Sequence, residues 1–181
     1  MEIIETTIEG LKIIRPNIYK DDRGYFFESF SQIKFNEIVC KTVFVQDNES
    51  NSKYGVLRGL HYQKPPFAQA KLVRVIKGKV LDVAVDIRKD SPTYGKHFAV
   101  ELSDENRLQI YIPHGFAHGF VALSKEVICQ YKCDNYYSPD HAAGIKWDDE
   151  QLDINWRLPF EDIILSEKDK INPPFSQLSQ L

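Results

Sequence analysis

The chain is poor in cysteine. Cys40, Cys129 and Cys133 are an odd number and form no Cys-x-x-Cys pair, so neither a disulfide framework nor a zinc ribbon is expected. Reduced, mostly buried thiols are the reading. No apolar run approaches the ~20 residues needed to cross a bilayer, and Met1-Glu2-Ile3-Ile4-Glu5 is acidic where a signal peptide is positive. A soluble cytoplasmic protein with no membrane partner is expected. Positive charge is not in excess either: 23 Lys+Arg against 26 Asp+Glu leave a net charge of −3. That balance does not suit a domain built to grip a nucleic-acid backbone, so no nucleic-acid partner is expected and any anionic ligand must meet a local basic cluster. Linkers, low-complexity tracts and repeats of 20–50 residues are missing, which points to one domain over residues 1–181, loose only from Asn172-Pro173-Pro174 onward. The composition, 43% apolar and 27% charged, excludes disorder and collagen.

Most of what is present reads as strand. Residues 71 to 76 and 79 to 88 run apolar or alternate around Lys77-Gly78, a hairpin turn by its composition, and 108 to 113 and 127 to 133 also show period two. Helix signals are few: Ser31 as N-cap before residues 32–39, and a short stretch near Phe160 to Ser166. Many short strands separated by Gly and Pro predict an all-β sandwich, barrel or jelly roll with a few short helices. Strand phase then assigns faces. Val127, Cys129, Tyr131 and Cys133 share the more apolar face of their strand. Leu81, Val83, Val85 and Ile87 form an aliphatic core face, whereas the opposite face carries Asp82 and Asp86, two carboxylates that need partners.

Chemistry-bearing side chains concentrate in residues 46–63, where Gln46, Asp47, Asn48, Arg58 and His61 bring amide, acid, cation and imidazole groups together. His61 reads either as a general base, histidine being basic yet largely neutral near pH 7, or as a hydrogen-bonded histidine in the wall of the fold. Lys71 opens a strand, and alone it would be a solvated surface lysine. Tyr131 alone would be a core tyrosine with a satisfied hydroxyl.

The string Ile112-Pro113-His114-Gly115-Phe116-Ala117-His118-Gly119-Phe120 resembles the second motif of the cupin superfamily, whose fold is a double-stranded β-helix jelly roll. The region matching the first motif reads His61-Tyr62-Gln63 and lacks a second histidine, so the count falls below the three protein ligands of an open catalytic metal site. No metal and no other cofactor are expected, which speaks against a metal-dependent cupin oxygenase. His118 remains a donor to a ligand oxygen or a structural residue between two phenylalanines.

A closer resemblance spans nearly the whole chain. Asp22-Arg23-Gly24-Tyr25-Phe26-Phe27-Glu28, Gln46-Asp47-Asn48, Leu57-Arg58-Gly59-Leu60-His61-Tyr62-Gln63, Gln69-Ala70-Lys71-Leu72-Val73-Arg74, Asp82-Val83-Ala84-Val85-Asp86-Ile87-Arg88 with Ser91-Pro92-Thr93-Tyr94-Gly95, Pro113 to Phe120 and Leu165-Ser166-Glu167-Lys168-Asp169 are similar, in order, to the signature strings of the dTDP-4-dehydrorhamnose 3,5-epimerase family. The resemblance implies inversion at C3 and C5 of dTDP-4-dehydro-6-deoxy-D-glucose through enolates. It also implies a catalytic set of His61 as base, Asp169 as its partner, Lys71 near the C4 oxygen and Tyr131 as acid. Arg23, Phe26, Glu28, Gln46, Asp47, Asn48, Arg58, His118, Tyr137 and Lys168 would bind the dTDP-sugar. A homodimer is implied as well, with Arg23 reaching across the interface. Ala142 departs from the pattern, which commonly has Glu there. A mono-epimerase acting at C3 or C5 of a related dTDP-4-keto-hexose, and a non-catalytic nucleotide-sugar-binding cupin, are the alternative readings.

Overall fold

The computed structural model describes residues 1–178. Its strands are β1 (Glu2–Glu5), β2 (Lys12–Arg15), β3 (Tyr19–Asp21), β4 (Gly24–Phe26), β5 (Gln46–Lys53), β6 (Leu57–Gln63), β7 (Lys71–Lys77), β8 (Lys79–Asp86), β9 (His97–Ser103), β10 (Gln109–Ile112), β11 (Phe116–Ala122), β12 (Glu126–Cys133) and β13 (Ala142–Gly144). Two short helices are α1 (Gln32–Ile38) and α2 (Glu167–Lys170). One sheet has the order β1-β2-β10-β7-β12-β5, a second β13-β6-β11-β8-β9, and β3-β4 stand apart as a hairpin. From β5 to β8 and again from β9 to β12 the chain alternates between the two large sheets, so this is the double-stranded jelly roll that the cupin resemblance implies.

Three apolar layers hold it together. Between the sheets lie Val73, Val75, Ile110 and Val127 from one side and Val80, Leu102, Phe116 and Phe120 from the other. Leu81, Val83 and Val85 on the outer face of β8 pack beneath Ile145, Leu152, Trp156 and Phe175 of the C-terminal segment. The outer face of the other sheet presents Leu72 and Tyr111 to Phe35 and Val39 of the α1 region. Every large face is therefore covered, which is the condition for burying this much aliphatic surface.

Several sequence expectations change here. Lys77-Gly78 is not a hairpin turn: β7 pairs β10 and β12 while β8 pairs β11 and β9, so the dipeptide is a corner between sheets. Gly78 has φ +78°, and a Cβ there would sit 2.3 Å from the Glu126 carbonyl oxygen, so the corner requires glycine. The carboxylate-bearing face of β8 is as buried as its aliphatic face, because it looks into the space between the sheets. The segment from Asn172 is docked as far as it is described: Phe175 is buried and its N–H donates to Asp149 (2.7 Å), while residues 179–181 lie outside the described part. The expected helix near 160–166 is a 3-10 turn at Phe160–Asp162 followed by α2, and Ser31 caps α1 by position without a side-chain hydrogen bond. The three cysteines are free, two of them buried.

Candidate active site

β6 and β11 pair with His61 directly opposite His118, and the register shifts between His118 and Phe120. The shift has a chemical consequence. Arg58 and His61 are three residues apart and would face opposite sides of a regular strand, yet both line the same cavity. The irregularity depends on Gly59, at φ +143°, whose Cβ position would lie 2.5 Å from the Cα of Gly119. Two glycines let the strands approach closely and turn both cationic and imidazole groups inward.

The opposite sheet supplies the other wall by strict alternation. Lys71 stands on β7 in line with Val73 and Val75, and Tyr131 on β12 in line with Val127 and Cys129, so both face the interior. Lys71 Nζ lies 5.9 Å from the centroid of the Tyr131 ring. Asn48 of β5 is the cross-strand neighbour of Tyr131 and shares that face with Gln46, whose Oε1 accepts from the Tyr137 N–H (3.0 Å).

His61, Lys71, Tyr131, Ser166 and Asp169 line both of two cavities, of about 430 and 420 Å³. The first continues past Arg58, His118 and Phe120, the second past Gln46, Asn48, Tyr137 and Lys168. Their shared wall holds the base candidate, and their extent in two directions suits a ligand of two parts.

Asp169 reaches His61 from α2: its Oδ1 bonds to His61 Nε2, and its Oδ2 accepts from Ser166 Oγ (2.9 Å). Ser166 is the N-cap of α2 and accepts in turn from the Asp169 N–H, so the carboxylate is clamped to the start of its own helix. Burial pushes the Asp169 carboxyl up, but the hydrogen bonds of His61, Ser166 and the Gly59 backbone outweigh it and leave the group more acidic than usual. Burial and the neighbouring Cys133 and Cys129 raise the Tyr131 phenol, which keeps its proton. Burial lowers Lys71, against the opposing pull of Cys133 and Asp82. His118 is also lowered by burial, its contact with Asp82 notwithstanding, and is neutral.

Not all expected ligand contacts converge. Asp47 points outward by the alternation of β5 and pairs with Lys132 (2.8 Å). Arg23 projects from the β3-β4 hairpin with its side chain 90% exposed, paired to Asp21. Phe26 is 70% exposed, and with Glu28 it lines a separate cavity of about 270 Å³ near the N-terminus. Nor is His118 free at both ring nitrogens: Nε2 bonds to Asp82 Oδ2 (2.9 Å). Ala142 lines the second cavity, and adjacent His141 is held by Ser138 Oγ (2.8 Å) and the Phe67 ring rather than turned toward it. Ser166 was not singled out in the sequence; its signal is the Ser-x-x-Asp cap spacing before α2. Among the described residues no group of three or more His, Cys, Asp or Glu could hold a metal, and no helix is long and apolar enough to cross a membrane.

Comparison with known proteins gives one answer. The model of the dTDP-4-dehydrorhamnose 3,5-epimerase family matches residues 5–177. The enzyme of that name from Methanothermobacter thermautotrophicus is 54% identical over 168 residues, covering 92% of this chain and 90% of its own. The crystal structure of dTDP-6-deoxy-D-glucose-3,5-epimerase from Legionella pneumophila in complex with dTDP-4-keto-L-rhamnose superposes with a TM-score of 0.95 at 49% identity, covering 98% of this chain and 94% of that one. A 3'-monoepimerase from Streptomyces bikiniensis in complex with dTDP-quinovose superposes with a TM-score of 0.87 at 30% identity, covering 94% and 86%.

Proposed function

The chain belongs to the dTDP-4-dehydrorhamnose 3,5-epimerase family, and from that premise we propose how its cavity converts dTDP-4-dehydro-6-deoxy-D-glucose to dTDP-4-dehydro-L-rhamnose. The observation that carries the reading is that His61, backed by buried Asp169, and Tyr131 come from opposite sheets to line one cavity together with Lys71. Inverting a carbon beside a ketone means removing its proton to an enolate and returning a proton to the other face. His61 takes the proton from C3 or C5, and Asp169 holds the ring and offsets the imidazolium charge that forms. The enolate charge gathers at the C4 oxygen, where Lys71 stabilises it. Tyr131, still protonated, delivers its proton from the opposite wall.

Binding follows from the same placement. Arg58 and Lys168 supply cations for the diphosphate, Gln46 and Asn48 polar contacts, His118 a contact to a sugar oxygen, and Tyr137 a flat face for the thymine. Arg23, Phe26 and Glu28, remote from the cavity within one chain, act on the cavity of a second protomer in a homodimer. The chain works as one domain over residues 1–181 in the cytoplasm.

The 3'-monoepimerase relationship makes single-site inversion the competing outcome. Incubating the purified protein with dTDP-4-dehydro-6-deoxy-D-glucose in deuterated water, with NMR of the sugar, decides between them. Label at both C3 and C5 in an L-rhamno product is the expected result. Label and inversion at one carbon assigns a mono-epimerase, and unlabelled, unchanged sugar removes the epimerase reading.

A further inference from the structure

Asp82 is fully buried on the inner face of β8, and its two oxygens have unequal surroundings. Oδ2 accepts from His118 Nε2 at 2.9 Å. Oδ1 is enclosed and has no hydrogen-bond partner among the described residues. A buried carboxylate left half unsatisfied is costly, and a fold keeps one where its charge is needed. Lys71 lines the same cavity as His118 and has neither ion pair nor hydrogen bond among the described residues; burial lowers its amine, and Cys133 and Asp82 act against that. We propose that Asp82 is a positioning residue for the epimerisation, a buried carboxylate that fixes the ring of His118 and serves as the counter-charge to the Lys71 ammonium. This rests on the epimerase reading above.

The two roles are linked by proton bookkeeping. With Asp82 ionised, His118 must carry its hydrogen on Nε2 to make the 2.9 Å bond. The imidazole is neutral, so its Nδ1 is left as a lone pair and accepts, rather than donates, a hydrogen bond from a sugar hydroxyl. The groups that act on this cluster come from every adjoining strand. They are Arg58 and His61 on β6, Lys71 on β7, His118 on β11, and Cys129, Tyr131 and Cys133 on β12. The thiols are pushed up by burial and contribute no charge at neutral pH, so among the groups acting on Lys71 only the Asp82 carboxyl can supply a negative charge. A neutral group in its place removes part of what holds the proton on Lys71.

Asp82→Asn keeps the shape and removes the charge. The expected result is a kcat at least tenfold lower at neutral pH, a KM within about threefold, and an alkaline limb of the kcat profile displaced to lower pH as Lys71 loses its proton earlier. A folded variant with unchanged kcat and unchanged pH profile overturns the proposal. Nitrogen-15 NMR of histidine-labelled wild type tests it without any variant and decides the matter if Asp82→Asn does not fold. A neutral Nε2–H tautomer of His118 is expected. The Nδ1–H tautomer, or an imidazolium, at pH 7 overturns it. Wild-type turnover in the same assays separates the two levels, since an inactive wild type overturns the epimerase reading whereas an active wild type with an indifferent Asp82→Asn overturns only this one.

Discussion

At the scale of single residues, the site depends on side chains whose identity was plain and whose direction was not. His61, Lys71 and Tyr131 could be named from the sequence, and for Tyr131 even the face, since Val127, Cys129 and Cys133 mark the buried side of β12. Asp47 sits among equally polar neighbours, and only the register of β5 against β12 reveals that it turns outward to Lys132. Asp82 was legible as a carboxylate needing a partner; that the partner is His118 depends on β8 and β11 being neighbours, a contact 36 positions apart that no local pattern encodes. The roles give a direct expectation. His61→Ala removes a base from a cavity wall without opening the core, so turnover should fall by about 10²–10⁴-fold or more while the thermal midpoint hardly moves. Steady-state rates alongside a melting curve check this, and a folded variant retaining wild-type turnover returns His61 to a purely structural role.

Elements explain what residues alone do not. Helix α1 was readable from Ser31 placed as an N-cap before residues 32–39, and the fold buries Phe35 and the adjoining Val39 in one cluster. The corner at Gly78 was not, since a two-residue turn and a sheet-to-sheet corner make the same local demand for a glycine and differ only in which strands lie alongside. The irregularity in β6 was equally hidden, and the active site depends on it. Gly59→Ala should force β6 and β11 apart, cost on the order of 2 kcal/mol or more, and lower activity further than the lost stability explains, because Arg58 and His61 no longer share a wall. Urea unfolding beside kcat/KM measures both, and a variant as active and stable as wild type contradicts the role given to the bulge.

The end of β8 makes a second prediction at this scale. Burial pushes Asp86 up, but hydrogen bonds from Arg88, Ser91 and Thr93 overcome it and hold its carboxyl at about 2 rather than the ordinary 3.8. A depressed acid contributes stability that is complete above its unfolded value and is lost as pH falls through its folded one. Asp86→Asn should therefore cost on the order of 2 kcal/mol at neutral pH. It should also flatten the decline in stability between about pH 4 and 2. Denaturation at several pH values decides it, equal slopes in the two proteins being the contrary result.

For the whole molecule, the two sheets and their coverings were legible as a class, from strand count, turn spacing and the motif at Pro113 to Phe120. Subunit arrangement was not: the β3-β4 hairpin carrying Arg23 and Phe26 is exposed, and none of its residues lines the two cavities around His61 in its own chain. If those residues serve a second protomer, a mixed dimer of Arg23→Ala and His61→Ala chains contains one cavity with both defects and one with neither. It should recover activity well above either homodimer; purified mixed dimers that stay as inactive as both parents place Arg23 in the cavity of its own chain, and an Arg23→Ala homodimer as active as wild type places it outside the reaction.

The most direct measurement of the central claim, base and acid on opposite sheets of one jelly roll, is Tyr131→Phe incubated with dTDP-4-dehydro-6-deoxy-D-glucose in deuterated water. His61 on its own sheet can still remove a proton, and solvent can return deuterium to the same face. The expected result is a folded variant that takes up deuterium at C3 or C5 while forming little inverted sugar. Full epimerase activity would contradict it, because phenylalanine has no proton to deliver; so would a folded, substrate-binding variant that neither exchanges nor inverts, because the tyrosine would then act before the proton is removed.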